Sequence, residues 1–169
     1  MTLQFRIADA ARLSAALGLL AALGLAARFV PPLAIVNETP SLPRGLYLRS
    51  FSGEPKPGRV VAVRQPPNTR SYLAGLGVPE GAWLLKRVVA SGGDVVCARD
   101  AAVSLGSRTV AVLSHDRRGQ PLPAWRECRR LAADELFLLG DTETSFDSRH
   151  FGPVSRAAVE GVYRGAVLW

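Results

Sequence analysis

Apolar residues form one long run near the N-terminus and only short runs afterwards. The stretch Leu13–Val36 contains a single charged residue, Arg28. Its uncharged part, Ala15–Ala27, is shorter than the roughly 20 residues that a membrane-spanning helix needs, but an extension to Val30 or beyond is long enough. Pro31–Pro32 would end the helix there. The pattern therefore predicts one N-terminal transmembrane helix, with the arginine near one interface.

The charges around this stretch indicate its orientation. Arg6 and Arg12 precede it, which favours a cytoplasmic N-terminus. A cleaved signal peptide, with small residues around Gly24 near the cleavage point, is the alternative. Because the apolar run continues as far as residue 36, we favour a retained anchor over residues 1–36. Both interpretations export the remainder of the chain.

Residues 37–169 have the sequence pattern of a β-rich domain. Proline and glycine recur every few residues and bound short runs rich in β-branched and aromatic residues. No long helical period is visible, although Val154–Glu160 could form one helical turn. We predict a mainly β, antiparallel domain on the helical anchor. The predicted strands are Gly45–Ser50, Arg59–Arg64, Trp83–Ala90, Asp94–Cys97, Thr109–Leu113, Glu135–Leu139 and Gly161–Leu168.

The composition narrows the possible functions. The net charge is +7, but the positive residues are dispersed and are not interleaved with aromatic residues. This pattern disfavours nucleic-acid binding and fits a solvated or lipid-facing surface. Nearly every positive residue is arginine, and the lysines are Lys56 and Lys86. Lysine, unlike arginine, can lose its proton when it is desolvated, so a lysine within an apolar run suggests chemistry.

Two cysteines, Cys97 and Cys128, are present. Their sequence context does not suggest a metal site, and we expect neither a metal nor another cofactor. In an oxidising compartment they could form one disulfide. Two unrelated buried thiols are the alternative.

The run from Asn37 to Gly45 directly follows the apolar stretch. Within it Ser41 stands between Pro40 and Pro43, which restrict the local backbone. A serine held in this way can act as a nucleophile, because its hydroxyl and its own N–H are positioned in advance. An ordinary linker between anchor and domain is the structural alternative.

The run Trp83–Val89 contains Lys86. In a strand, this lysine shares a face with Leu84 and Val88, whereas Arg87 points to the opposite face. Apolar neighbours lower the pKa of a lysine, which is how it becomes a general base near neutral pH. The alternative is a lysine whose stem packs while its ammonium group reaches water. A turn at Gly92–Asp94 is predicted to end this strand.

The run Gly140–Pro153 is a dense polar loop after an apolar strand. Its hydroxyls and carboxylates could brace a catalytic base by hydrogen bonds, and Asp147 and Arg149 could form a structural ion pair. A solvated loop is the alternative. His115 and His150 are the histidines of the chain, and we expect packing rather than catalysis from His150.

In their order, these segments resemble the bacterial signal peptidase I family. The similarity covers the anchor, a serine box, a lysine box and a C-terminal Asp-Ser-Arg box. Within the family the chain is most similar to the TraF-type conjugative-transfer peptidases. The runs Asn37–Tyr47 and Ser145–Pro153 carry this similarity.

The resemblance implies a Ser/Lys dyad, with Ser41 as nucleophile and Lys86 as general base. It implies that Thr39 donates to the oxyanion beside the N–H of Ser41. It further implies supporting roles for the polar side chains of the last box, which are Ser145, Asp147, Arg149 and Asp141. Two departures from the family pattern occur: Thr142 replaces the usual asparagine, and the segment from it to Ser145 is one residue shorter.

The resemblance also implies the biology. A non-catalytic insert over about residues 98–127 and a Cys97–Cys128 bridge are implied as family traits. The expected protein is a single-pass enzyme of the bacterial inner membrane, with its catalytic domain in the periplasm. Its partners would be membrane lipid and an exported precursor such as a conjugative pilin, released in linear or cyclic form. A general leader peptidase and a non-catalytic envelope assembly protein remain alternatives, and the oligomeric state is undetermined.

Overall fold

The computed structural model describes residues 12–13, 15–21 and 31–169. Residues 12–13 and 15–21 are helical. The remainder of the predicted anchor, including Arg6, Gly24 and Arg28, lies outside the described residues. Within the described ranges, no helix is both long enough and apolar enough to span a bilayer. Residues 33–169 form one compact unit.

This unit is built mainly from β-strands, numbered here along the chain. The strands are β1 (Ala34–Asn37), β2 (Gly45–Ser50), β3 (Val60–Val63), β4 (Leu84–Ser91), β5 (Val95–Arg99), β6 (Ala102–Leu105), β7 (Arg108–Ala111), β8 (Cys128–Arg130), β9 (Glu135–Leu139), β10 (Val154–Ser155) and β11 (Val159–Leu168). Two short α-helices are α1 (Arg70–Gly75) and α2 (Ser148–Phe151), and 3-10 turns occupy Pro67–Thr69 and Arg156–Ala158.

The strands form two sheets, and their pairing is antiparallel. The larger sheet has the order β1-β2-β11-β3-β4-β9-β10, and the smaller has the order β7-β6-β5-β8. Strand β4 lies inside the larger sheet between β3 and β9, with Lys86 opposite Val61 of β3. The predicted turn at Gly92–Asp94 is present: Asp94 N donates to Ser91 O at 3.0 Å, and the chain then enters β5 of the smaller sheet.

Both faces of the larger sheet are packed. One face carries a cluster that contains Val61, Val88 and Leu138, with Leu84 and Phe146 against it. The other face carries a separate cluster, made of Leu42, Tyr47, Val60, Ala62, Leu85 and Tyr163. A third cluster, which includes Trp125 and Phe137, joins the larger sheet to the smaller one. This double burial explains why β3 and β9 appear in the sequence as continuous apolar runs rather than alternating ones.

The mainly antiparallel β prediction is confirmed, with local corrections. Strand β1 begins at Ala34, so the last residues of the apolar N-terminal run belong to a strand of the β unit. Helix α1 was not predicted, since six residues are too few to establish a helical period. Val154–Glu160 does contain one helical turn, a 3-10 turn at Arg156–Ala158, but it begins as β10 and ends in β11.

Candidate active site

The loop between β1 and β2 carries Ser41 and is fixed at both ends. Leu42 is buried in the cluster under the sheet, with 1% of its surface exposed. Tyr47 Oη donates a hydrogen bond to Pro43 O at 2.8 Å. The serine itself is 9% exposed. Its position therefore depends on the packing of its neighbours as well as on the two flanking prolines.

Asn37, the last residue of β1, organises this loop from within. Its Nδ2 donates to the carbonyl oxygens of Thr39, Leu42 and Pro43 at 3.0–3.1 Å. Its Oδ1 accepts from Thr39 N at 3.3 Å and from Thr39 Oγ1 at 2.8 Å. Since the nitrogen faces carbonyl oxygens, which only accept, the orientation of the amide is defined by its partners.

These bonds determine which way the Ser41 hydroxyl proton points. Thr39 Oγ1 lies 2.9 Å from Ser41 Oγ. A hydroxyl has one hydrogen, and that of Thr39 is donated to Asn37 Oδ1. Thr39 must therefore accept in its contact with Ser41. In this conformation the chain of donation runs from Ser41 to Thr39 to Asn37.

Lys86 lies in β4 and is 5% exposed. Its strand neighbours Leu84 and Val88 both belong to one apolar cluster, as the alternation of the sequence predicted. Arg87 points to the opposite side and pairs with Asp141. The lysine stem is thus embedded in the core face of the sheet.

Burial lowers the pKa of Lys86 from 10.5 to about 8, chiefly because the ammonium form is desolvated. The Asp147 carboxylate raises this pKa and the Arg149 guanidinium lowers it, so the two charges oppose one another. A substantial neutral fraction near pH 8 is what a general base requires.

Gly140, directly after β9, is where the serine loop and the polar loop meet. A Cβ at this position would overlap the Ser145 side chain and lie 2.7 Å from Ser41 O. The backbone N–H of the next residue, Asp141, donates to Ser41 O at 2.6 Å. Leu139 of β9 pairs with Arg87 of β4. Because the strands are antiparallel, the next residue, Gly140, follows in the position opposite Lys86. The main chains of the serine and lysine segments therefore converge on this glycine.

A buried ion pair between Asp147 and Arg149 holds the main chain at Gly140. Asp147 accepts from Gly140 N at 2.8 Å and caps helix α2 through Arg149 N. Arg149 binds this carboxylate through Nε at 2.8 Å and Nη2 at 2.7 Å. It also donates to the carbonyl oxygens of Thr142 and Ser145. The pair thus fixes the polar loop by hydrogen bonds at both charged groups, which a buried pair needs in order to be stable.

Asp141 and Ser145 take different places in this arrangement. The Asp141 carboxylate accepts two hydrogen bonds from Arg87, at 2.8 and 2.7 Å, at a half-exposed position. Ser145 is 3% exposed, and its Oγ has no hydrogen-bond partner among the described residues. An unpaired buried hydroxyl costs free energy, so its retention beside Gly140 suggests a functional role.

The predicted site residues therefore share one region, but the proposed dyad is not hydrogen-bonded. In the part of the chain that the structure describes, the Lys86 side chain forms no hydrogen bond, whereas its main chain pairs with β3, and Ser41 Oγ is paired with Thr39. The roles of Ser41 and Lys86, and that of Thr39 toward an oxyanion, stay predictions. His150 packs as expected: it is 4% exposed and stacks on Phe146 at a ring distance of 5.3 Å.

Sequence reasoning missed several contributors. Asn37 was recognised as part of a motif but received no role, although its spacing of two from Thr39 is compatible with a local side-chain turn. The insert was predicted to be non-catalytic, and contacts between it and the polar loop were not predicted. In the structure, Arg149 Nη1 donates to Ala111 O at 3.1 Å, and His150 Nδ1 lies 2.9 Å from Pro123 O. These contacts depend on tertiary structure and leave no local signal.

The cysteine prediction is confirmed, since Cys97 and Cys128 form a disulfide. They are directly paired residues of β5 and β8, at the base of the insert. No group of three or more potential metal ligands was found among residues 12–13, 15–21 and 31–169.

Comparisons with known proteins show which proteins this chain is similar to. Two plasmid transfer proteins TraF of Escherichia coli are similar: one is 36% identical over 146 residues, covering 79% of this chain and 82% of that protein. The other is 33% identical over 162 residues, covering 88% and 90%. A crystal structure of a signal peptidase I from Enterococcus faecalis aligns with a TM-score of 0.40 at 25% identity, covering 65% of this chain and 97% of that one. A family model described as signal peptidase, peptidase S26, matches residues 9–169, and the chain accordingly belongs to the signal peptidase family.

Proposed function

We propose that this peptidase is a serine endopeptidase in which Ser41 is the nucleophile and Lys86 the general base. The observation that carries the proposal is the buried Lys86, whose pKa is lowered to about 8. Its strand runs beside the segment that ends at Gly140, and Gly140 contacts both the Ser41 main chain and Ser145. A desolvated lysine beside a rigidly held serine is an arrangement suited to nucleophilic catalysis.

The first chemical step needs a change in the Ser41 hydroxyl. In the conformation described above it donates to Thr39, so this hydrogen bond must break, and Oγ and neutral Lys86 Nζ must come within hydrogen-bond distance, before Ser41 can donate to the lysine. The lysine then takes the proton while Oγ bonds to the carbonyl carbon of the scissile peptide. The C–N bond breaks, and the leaving amine takes the proton from the Lys86 ammonium. The Ser41 N–H and the Thr39 hydroxyl would stabilise the oxyanion.

Thr39 can donate a hydrogen bond to the oxyanion only if its hydroxyl stops donating to Asn37 Oδ1. Donation by Ser41 to Lys86 removes the bond that Thr39 accepts, which frees the threonine hydroxyl to reorient. The two changes are therefore coupled in the proposed cycle. Ser145, whose Oγ is otherwise unpaired, is available to hold the Lys86 amine during this exchange.

The acyl-enzyme has two chemically balanced outcomes. Water attacks the ester and gives a linear product with a new carboxylate, or the amino group at the substrate's own N-terminus attacks and gives a cyclic peptide. In both, neutral Lys86 takes a proton from the attacking group and returns it to Ser41 Oγ as the ester C–O bond breaks. Mass spectrometry distinguishes them, because the cyclic product is lighter by one water.

We further propose that the substrate is an exported, pilin-like precursor of a conjugation system. Two relatives are named plasmid transfer proteins, which supports a substrate in plasmid transfer. The proposed location is the periplasmic face of the bacterial inner membrane, with residues 1–36 as the anchor. The apolar N-terminal sequence and the disulfide, which favours an oxidising compartment, support this location. A C-terminal alkaline phosphatase fusion should be active, and an inactive fusion that is stably produced would contradict export.

The mechanism can be tested with purified full-length protein and a pilin precursor. Ser41→Ala and Lys86→Arg should each abolish cleavage, because the first removes the nucleophile and the second keeps the charge but removes the base. Lys56→Arg and Ser71→Ala, at exposed positions, are matched controls and should cleave like the wild type. Cleavage that survives either Ser41→Ala or Lys86→Arg would refute the dyad.

A further inference from the structure

A cleft with a volume of about 640 Å³ opens beside the serine loop. Its lining is drawn from four segments: Pro40 of the serine loop, helix α1, residues 113–122 of the insert, and residues 144–146 of the polar loop. Pro40 is bonded to Ser41, and Thr144 is bonded to Ser145. One end of the cleft therefore adjoins the proposed catalytic groups.

The floor of the cleft is apolar and only half-buried. It includes Leu76, Leu113 and Leu122, together with Phe146 and Tyr72, whose ring centroids lie 4.5 Å apart. Its volume lies within the range of about 300–1,000 Å³ that is typical of ligand sites. Such a floor can accept an apolar side chain of an extended peptide.

The one carboxylate among the lining residues, that of Asp116, is already engaged. Asp116 Oδ1 accepts from Arg118 N at 2.8 Å and from Gln120 N at 2.9 Å. Oδ2 accepts from Tyr72 Oη at 3.1 Å. This carboxylate thus links the insert loop to helix α1, and its acceptor atoms face the protein rather than a ligand.

Two arginines on the same loop are less constrained, although the charge of Arg118 interacts with the Asp116 carboxylate. Arg117 and Arg118 are exposed and line the cleft, and neither forms a salt bridge within the described residues. The side-chain contact of Arg117 is a hydrogen bond to Thr144 Oγ1 at the limiting distance of 3.5 Å. Two guanidinium groups above an apolar floor are suited to a carboxylate on an otherwise apolar peptide.

We propose that this cleft binds a carboxylate-bearing segment of the precursor next to the scissile bond. An apolar side chain would occupy the floor, and Arg117 and Arg118 would hold the carboxylate, either of an acidic side chain or of the chain's C-terminus. The proposal rests on the proposed function, because the segment belongs to the peptidase's substrate. It gives the insert a part in substrate selection.

The test measures binding in the full-length Ser41→Ala variant, which needs no catalysis. The probes are four octapeptides of alanine and leucine labelled with an uncharged BODIPY dye, which carry a glutamate, a free C-terminal carboxylate, both or neither. Fluorescence anisotropy should show tighter binding of at least one carboxylate peptide than of the neutral one, and the tighter peptide identifies the source. Equal binding by all four, or no binding, would overturn the proposal.

Charge reversal gives the second arm. The double variant Arg117→Glu with Arg118→Glu should bind the carboxylate peptide roughly tenfold to a hundredfold more weakly, which is the range for hydrogen bonds to charged groups. It should also lose its preference for the carboxylate peptide over the neutral one. The matched control is Arg59→Glu with Arg164→Glu, an equal charge change at exposed positions that do not line this cleft. An equal loss in the control, or equal weakening of the neutral peptide, would overturn the proposal. Because the assay involves no cleavage, the proposed function can fail without deciding this result.

Discussion

The buried Lys86 predicts a specific dependence of stability on pH. In the unfolded chain this lysine has a pKa near 10.5, and in the folded protein burial lowers the pKa to about 8. Between these values the unfolded chain binds one more proton than the folded protein, so raising the pH stabilises the fold. A difference of this size corresponds to about 3 kcal/mol of destabilisation when both states are protonated, because one pKa unit is worth about 1.4 kcal/mol.

Lys86→Met removes the titrating amine and keeps an unbranched apolar stem. We expect this variant to be more stable than the wild type near neutral pH. The difference in the free energy of unfolding between the variant and the wild type should shrink by about 1 kcal/mol between about pH 7 and about pH 9, because the wild-type lysine loses its proton in the folded state. Comparison of the two proteins cancels the other titrating groups. Urea unfolding followed by the fluorescence of Trp125, which is buried, measures both free energies of unfolding.

Lys56→Met is the control, because Lys56 is exposed and the same substitution there removes no buried amine. A gap between wild type and Lys86→Met that stays constant with pH would refute the burial argument. The same titration should govern catalysis: kcat/KM should rise about tenfold per pH unit below about pH 8 and level off above it. A flat profile with chemistry rate-limiting would refute the role of the lysine as base.

Three further perturbations follow from the supporting structure. Asp147→Asn should cost about 3–5 kcal/mol in urea unfolding, since it leaves Arg149 as a buried charge without its partner; a loss below about 1 kcal/mol would contradict this. Gly140→Ala should reduce kcat by displacing Ser41 or the polar loop, and unchanged kinetics would show that the close approach is dispensable. Reduction of Cys97–Cys128, which are 31 residues apart, should lower stability by about 4 kcal/mol on the chain-entropy model, as read by a fall in Tm; an unchanged Tm would refute it.

Several parts of the fold could be predicted because their signals are local. The strands Gly45–Ser50 and Glu135–Leu139 have the predicted bounds, since turn residues delimit both apolar runs. The orientation of Lys86 followed from alternation along one strand, and its burial among Leu84 and Val88 agrees with it. In these cases the sequence contains the whole argument.

The remaining parts depend on contacts between distant segments. Strand β1 could not be separated from the apolar N-terminal run, because Ala34–Asn37 is identified as a strand by its pairing with β2. The role of Asn37 rests on five hydrogen bonds within a folded loop. The contribution of the insert to the site depends on the fold, which places residues 113–122 beside Pro40. No periodicity or spacing in the sequence indicates which segments will meet in this way.

The Asp147–Arg149 ion pair holds the turn at Gly140 rigidly and also affects the pKa of Lys86. A buried carboxylate is well suited to hold the turn at Gly140, as Asp147 does. Alone, however, it would stabilise the Lys86 ammonium and raise the pKa that burial lowers. Arg149 opposes that effect while it satisfies the carboxylate with two hydrogen bonds. The site thereby obtains a charged, rigid support whose two charges act on the lysine pKa in opposite directions, and desolvation remains the largest influence on that pKa.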